Sequence, residues 1–95
     1  MLTDFAPHVG KTFPMRVGPN ATVALVLSDA RSLGFAPGPS ERSESFALLF
    51  TSGERGHAPQ AIYSLEHPEL GVLEIFLVPV GPARSGGMQY EAIFN

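Results

Sequence analysis

Residues 60–80 read QAIYSLEHPELGVLEIFLVPV, and this stretch decides the fold. Apolar residues occupy alternate positions on both sides of a break at 67–71, which contains Pro68 and Gly71. A period of two is typical of β-strands, and proline and glycine are typical of the turn that joins two strands. The stretch therefore predicts two strands, over 60–66 and 72–80, that form a hairpin with a tight turn.

Alternation of the same kind marks four further strands along the chain. It predicts one strand after the hairpin, over 88–94, and three before it, over 12–17, 21–28 and 45–51. Short connections favour antiparallel pairing over parallel units that need a crossover helix. We therefore predict an all-β domain of about six antiparallel strands, in a meander that closes into a small barrel or a two-layer sandwich.

Three local features refine this prediction. The first ten residues predict a short helical turn that ends at Gly10 and plugs one end of the barrel. Residues 33–44 are rich in Gly, Pro and Ser, which predicts the longest loop of the chain and a mobile one. In the strand over 12–17, Pro14 cannot donate a ladder hydrogen bond, so we expect this strand at a sheet edge.

Length and composition restrict the class of protein. The 95 residues suffice for a single domain over 1–95. Six scattered Lys and Arg residues and a net charge of -3 argue against nucleic acid as a partner, because binding to phosphates requires clustered cations. No apolar run approaches the roughly 18 residues of a membrane span, and the N-terminus lacks the regions of a signal peptide. We expect a cytoplasmic protein with no membrane insertion, which could still be released as part of an assembly.

Residues able to support catalysis are not arranged in a recognisable pattern. There is no Cys, so thiolate metal sites and cysteine nucleophiles are excluded. No serine lies in a Gly-x-Ser-x-Gly motif, and nothing in the sequence nominates a base and an orienting group for one. We predict no catalytic residues, no enzyme activity and no cofactor.

The histidines provide the nearest approach to a metal site. Glu66, His67 and Glu69 are of metal-ligand type, but on a strand Glu66 and His67 point to opposite faces, and the next residue is a proline that forces a turn. The alternatives are a divalent-metal site and a polar hairpin turn, and the spacing favours the turn. We expect His8 and His57 to be solvent-exposed loop residues, and we predict no metal.

The predicted strands carry apolar residues on both faces. One face supplies the predicted core, which includes Phe50, Tyr63, Ile75 and Leu77. Antiparallel sheets commonly have one face toward water, so a second apolar face needs a cover. Either these residues lie inside a sandwich or beneath the long loop, or they form a contact surface between subunits. The candidate interface residues are Val26, Leu49, Ile62, Phe76, Val78 and Ile93.

Four short motifs occupy the second half of the chain. They are SFALLF at 45–50, QAIYSLEHPELG at 60–71, IFLVPV at 75–80 and YEAIFN at 90–95. In this order they resemble a family of small uncharacterised bacterial all-β domains, and the resemblance covers nearly the whole chain. Members of that family look like companions of phage-tail-collar-like proteins of the microcystin-dependent type. The resemblance implies an accessory or structural role in a tail-like or surface assembly, and it transfers no functional residue.

Two functions are compatible with these observations. The leading hypothesis is a non-enzymatic structural or accessory subunit that self-associates or docks on a tail-like or fibre-like assembly. It rests on the two-faced apolar strands, the charged fraction of only 16% and the resemblance. The alternative is a small β-barrel module that binds a ligand such as a saccharide or a metabolite, because barrels and their loop rims hold ligands readily. A large regular oligomer would favour the first, and a monomer with a lined cavity the second.

Overall fold

The computed structural model describes residues 2–35, 44–53, 59–84 and 86–94. Its elements are a short N-terminal helical segment and six β-strands, so the predicted all-β class is confirmed. Helix α1 spans Leu2–Phe5, and a 3-10 turn over Ala6–His8 follows it directly. The strands are β1 (Thr12–Gly18), β2 (Ala21–Phe35), β3 (Glu44–Ser52), β4 (Ala61–His67), β5 (Gly71–Pro82) and β6 (Met88–Phe94). No helix in these ranges is long and apolar enough to cross a membrane.

The six strands close into one antiparallel barrel, in the order β1-β2-β3-β6-β5-β4. The predicted barrel is therefore confirmed, and the predicted meander holds within each half, β1-β2-β3 and β4-β5-β6. The halves meet through the β3–β6 and β1–β4 pairs, so the strand order does not follow the chain all round the barrel. The connection over 53–60 makes this possible, because it is longer than the about two to five residues of a hairpin loop and joins strands that are not neighbours.

β1 is not an edge strand, contrary to the prediction from Pro14. It pairs with β2 along most of its length, with Pro14 opposite Ala24, and it closes the barrel against β4 through the Met15–Leu65 pair. Proline removes one donor from a ladder and does not prevent neighbouring residues from pairing. Pro14 therefore lies in a strand that is paired on both sides, and the β1–β4 pairing is limited to Met15 and Leu65.

Side chains from all six strands fill the interior of the barrel. Phe50, Ile75 and Leu77 are buried, as predicted, and Tyr63 is partly buried against the same core. In a barrel of few strands the inward side chains suffice to occupy the interior. The side chains with no exposed surface include Phe13, Met15, Leu25, Leu27, Leu48, Phe50, Leu65 and Leu77.

The N-terminal segment closes one end of the barrel, as predicted. The Phe5 ring lies 6.0 Å from Phe46 and 6.1 Å from Phe94, and the latter two rings stack at 4.7 Å. Gly10 donates its N–H to the carbonyl of Leu27 at 2.7 Å, which attaches the segment to β2. Gly10 has a φ of 93°, a backbone conformation that favours glycine, and this conformation ends the helical turn.

β2 is longer than the alternation predicts. The pattern predicts a strand that ends at Ser28 and a loop that begins at 33, whereas β2 continues to Phe35, paired with Glu44 of β3. Two β-bulges, between Leu27 and Asp29 and between Ser32 and Gly34, carry the strand through residues that break the alternation. The rest of the predicted loop, 36–43, lies outside the described residues, as does its predicted mobility.

Candidate functional site

The outer surface of β4, β5 and β6 carries three exposed apolar side chains, one on each strand. Ile62 and Phe76 are directly opposite in the β4–β5 pair. The β5–β6 register sets Val78 opposite Glu91, so Phe76 and Ile93, two residues further along their strands, leave the same outer face. The exposed fractions are 67% for Ile62, 51% for Phe76 and 53% for Ile93. We call these three residues the apolar row.

Three valines of β5 extend the apolar row along the strand. Val72 and Val78 lie at even positions, like Phe76, and therefore leave the same face, and Val80 follows at the β-bulge between Pro79 and Gly81. Val72 and Val80 are exposed, and Val78 is partly buried. Single exposed apolar residues are common on proteins, but contiguous ones are typical of contact surfaces. The outer face of β5 is therefore the best candidate for a functional surface.

The structure brings together four of the six predicted interface residues. Val26 lies apart from them on β2, opposite Thr51, and is 38% exposed. Leu49 is partly buried on β3 between Asp29 and Glu91. Sequence reasoning missed the exposed Val72 and Val80, although the alternation of β5 could have included them. The four residues that the fold unites are Ile62, Phe76, Val78 and Ile93.

Carboxylates flank the apolar row. Glu74 lies two residues before Phe76 on β5, and Glu91 lies two residues before Ile93 on β6, so both leave the outer face. The Nη2 of Arg16 lies 3.4 Å from Oε2 of Glu66, on side chains that are 48% and 49% exposed. A surface pair of this kind contributes at most about 1 kcal/mol. When two apolar rows meet, the negative charges of Glu74 and Glu91 on one subunit repel those on the other. Salt screens this repulsion, so association through the row should depend on ionic strength.

His8 and His67 form a buried pair that sequence reasoning missed. Only 6% of His8 and 7% of His67 is exposed, and the two rings meet edge to face with centroids 4.3 Å apart. His67 also stacks on Phe13 at 4.7 Å, and its Nδ1 accepts the Glu69 N–H at 3.1 Å. The prediction that His8 is solvent-exposed is wrong, because the N-terminal turn carries its last residue into the end of the barrel. The third histidine, His57, lies outside the described residues.

The turn between β4 and β5 places the predicted metal-ligand types on different surfaces. Glu66 is exposed and paired with Arg16, whereas His67 points inward, as expected for neighbours on a strand. Gly71 closes the turn with a φ of 79°. In the part of the chain that the structure describes, no three His, Asp or Glu side chains converge to hold a metal ion. The absence of a metal stays a prediction.

A shallow cavity of about 340 Å³ lies beside the same turn. Its two titratable groups are both engaged, the Glu66 carboxylate with Arg16 and the His67 Nδ1 with the Glu69 N–H. A catalytic pair needs a nucleophile within reach of a positioned base, and this lining offers no serine, threonine or lysine for that role. The lining residues are Pro14, Glu66, His67, Pro68, Gly71 and Val72.

Tyr63 has a perturbed hydroxyl with a structural explanation. Burial, and to a smaller extent the neighbouring Tyr90, raise the pKa of Tyr63 above its ordinary value. The protonated hydroxyl donates a hydrogen bond to the carbonyl of Pro59. Tyr63 therefore serves to fix the start of β4, at neutral pH and well above it.

Comparison with known proteins identifies a family and no individual relative. The family model of a domain of unknown function, DUF6916, matches residues 1–94. No curated protein and no solved structure matches the chain. The comparison supports membership of a small uncharacterised domain family, as the sequence motifs indicated, and it carries no link to tail-collar proteins.

Proposed function

We propose that the chain, which belongs to the DUF6916 family, is a non-enzymatic assembly subunit that self-associates through the apolar row. The observation that carries this proposal is the exposure of Ile62, Phe76 and Ile93 on one outer face of three consecutive strands, on a barrel whose interior is already filled. Contiguous apolar surface is typical of protein contact sites. Docking on a tail-like or fibre-like assembly is the finer part of the proposal, and its support is the sequence resemblance alone.

The apolar row supports a contact of moderate strength. Full burial of a large apolar side chain contributes about 1.5–3 kcal/mol, and for side chains already half buried roughly half to two thirds of that remains. Three side chains from each of two subunits therefore contribute roughly 5–12 kcal/mol. Association itself costs about 4–15 kcal/mol in lost freedom of motion. The row alone is close to break-even, so Val72, Val78 and Val80 must contribute to a stable contact.

The ligand-binding alternative receives less support from the described residues. Phe13, Phe50 and Leu77 have no exposed surface and occupy the interior where a small barrel would hold a ligand. The cavity beside the β4–β5 turn is shallow and lies on the surface. The chain has no Trp and only two Tyr to stack on a saccharide. These facts favour an assembly role over ligand binding.

Light scattering at several protein concentrations tests the proposal. The parent should gain mass as its concentration rises, whereas Phe76→Glu and Ile62→Glu should stay folded and form smaller assemblies. Both side chains are more than half exposed, so neither substitution buries a charge in the core, but each would place an unpaired carboxylate in the contact. Val9→Glu is the matched control, because Val9 is 44% exposed in the N-terminal segment, away from the row.

Two results would contradict the proposal. The first is a parent that remains monomeric at the highest concentration. The second is an assembly whose mass is the same in the parent and in both glutamate variants, with circular dichroism showing that all of them are folded.

A further inference from the structure

The second half of β2 has an open backbone edge in an otherwise closed barrel. β1 pairs with β2 only as far as the Thr12–Val26 pair, and the N–H and carbonyl of Leu27 bond to Lys11 and Gly10. Beyond Leu27, β3 is the only strand that pairs with β2 among the described residues, and α1 and the 3-10 turn contact β2 without pairing with it as a strand. The side of this segment that faces away from β3 therefore presents backbone groups that another strand could use.

Two backbone N–H groups of this segment donate hydrogen bonds to exposed side chains of β2 itself. Ala30 donates its N–H to Oδ1 of Asp29 at 2.9 Å, and Gly34 donates its N–H to Oγ of Ser32 at 3.1 Å. Local bonds of this kind compete with strand pairing and are made in contact with solvent. A carbonyl of an incoming strand can replace such a side-chain acceptor. These two N–H groups therefore have hydrogen-bond partners in the single subunit and can still pair with another strand.

The regular part of this edge has definite ends. At one end, Leu27 is already bonded to the N-terminal segment, and a bulge lies between Leu27 and Asp29. At the other end, a bulge between Ser32 and Gly34, with φ of 110° at Gly34, bends the strand. The residues between these ends are 28–32, with Ala30 at the centre. We call them the open edge.

The sequence of the open edge is complementary to itself. It reads Ser-Asp-Ala-Arg-Ser over 28–32, and Asp29 and Arg31 are both exposed. Antiparallel pairing of two copies about an axis at Ala30 sets Asp29 opposite Arg31 of the second copy, twice, and Ser28 opposite Ser32. An axis at Arg31 or at Asp29 would instead set like charges opposite each other, which destabilises a strand pair. The charges therefore favour the register centred on Ala30, with the same strand of a second copy as the partner.

We propose that the open edge pairs with the open edge of a second copy, about a two-fold axis at Ala30. The β2–β3 sheet then continues into the partner, and each backbone group of the edge exchanges a side-chain or solvent bond for a ladder bond. This contact uses backbone and charge, whereas the apolar row uses burial of large side chains. The inference goes beyond the proposed function and does not depend on it.

A charge-reversal cycle tests the pairing by sedimentation velocity. The variants are made in the Phe76→Glu background, so that the apolar row does not contribute. Asp29→Arg and Arg31→Asp each set like charges opposite and should weaken dimerisation about tenfold or more. An equal mixture of the two variants restores both opposite-charge pairs and should regain the parent's association, as should the double variant.

Two controls separate charge from folding. Arg84→Asp makes the same charge change at an exposed residue of the β5–β6 connection and should leave the dimer unchanged. Asp29→Asn keeps a side-chain acceptor for the Ala30 N–H and removes the charge, so a weakened dimer in this variant assigns the effect to charge. Circular dichroism checks that each variant is folded.

The outcomes distinguish this inference from the proposed function. A Phe76→Glu protein that is monomeric at every concentration rejects the open edge and leaves the apolar row supported. Single variants that associate as their background does, or a mixture that behaves as the average of its components, also reject it. Restored association in the mixture supports the open edge even if Phe76→Glu leaves the parent's mass unchanged, which would reject the apolar row.

Discussion

Leu77→Ala and Phe76→Ala compare neighbouring side chains that leave opposite faces of β5. Leu77 has no exposed surface, and Phe76 is 51% exposed. Truncation of Leu77 removes buried methyl groups and leaves a cavity, so it should lower the free energy of unfolding by about 2–5 kcal/mol. Truncation of Phe76 removes a larger side chain that already contacts water, so we expect a loss below about 1.5 kcal/mol. The smaller residue should have the larger effect.

Urea denaturation followed by circular dichroism measures this difference. A domain of this size has a free energy of unfolding of roughly 5–15 kcal/mol, and its denaturant slope is about 1–3 kcal/mol per molar urea. The midpoint of Leu77→Ala should therefore fall by about 1 M or more, with an unchanged slope. The measurement is made at a protein concentration low enough for the parent to be monomeric, because self-association would add to the apparent stability.

A second pair of residues provides the control. Leu65 on β4 has no exposed surface and should behave like Leu77, whereas Ile62 is 67% exposed and should behave like Phe76. Equal midpoints for the two β5 variants, or a larger loss for Phe76→Ala, would refute the assignment of the two faces. The apolar row would then belong to the core, and the proposed function would lose the observation that carries it.

Three further predictions concern two glycines, the carboxylates around the apolar row, and the His8–His67 pair. Gly87→Ala should destabilise the fold by more than about 1–3 kcal/mol, because a Cβ there would lie 1.7 Å from the Ser52 carbonyl oxygen. Gly53→Ala is the control, because a Cβ at Gly53 would meet nothing within 4 Å, and thermal unfolding should show that this variant is well tolerated. Higher salt should strengthen self-association through the apolar row, because it screens Glu74 and Glu91 around the row; light scattering on the Asp29→Arg variant, in which the open edge is weakened, measures this effect. Glu91→Gln should reduce that dependence, and weaker association at high salt would oppose it. His67→Ala should lower the melting temperature, because it removes the contacts with Phe13 and His8, without changing the metal content measured by elemental analysis. Stoichiometric metal that is lost in this variant would overturn the last expectation.

The inward residues could be predicted from sequence because strand periodicity is a local property. Phe50, Ile75 and Leu77 follow from a period of two, and each is buried. The strand order could not be predicted in the same way, because the closure of β1 on β4 depends on pairing between residues such as Met15 and Leu65, far apart in the chain. The same limit applies to the His8–His67 contact, which exists only once the N-terminal turn enters the barrel.

The extension of β2 shows where local propensity is overridden. Ser32 and Gly34 are unfavourable strand residues, but pairing with β3 holds them in the ladder and the bulge absorbs the irregularity. The open edge was hidden from sequence reasoning for this reason, since residues beyond Ser28 were expected to leave the sheet. Of the candidate interface residues, alternation could identify an outer face, but only the strand order shows that Ile62, Phe76 and Ile93 lie on consecutive strands of the barrel.

The two proposed contacts have a joint consequence for the form of the assembly. A contact about a two-fold axis uses the same surface on both subunits, so one such contact closes a dimer. The apolar row and the open edge are different surfaces, and a subunit that uses each with a different neighbour leaves a free surface at both ends of every oligomer. Growth is then open-ended, as in a chain or a fibre, unless the two axes are oriented to close a ring. Blocking either surface should leave closed dimers, and blocking both should leave monomers, so a single pair of substitutions separates an open-ended assembly from a closed one.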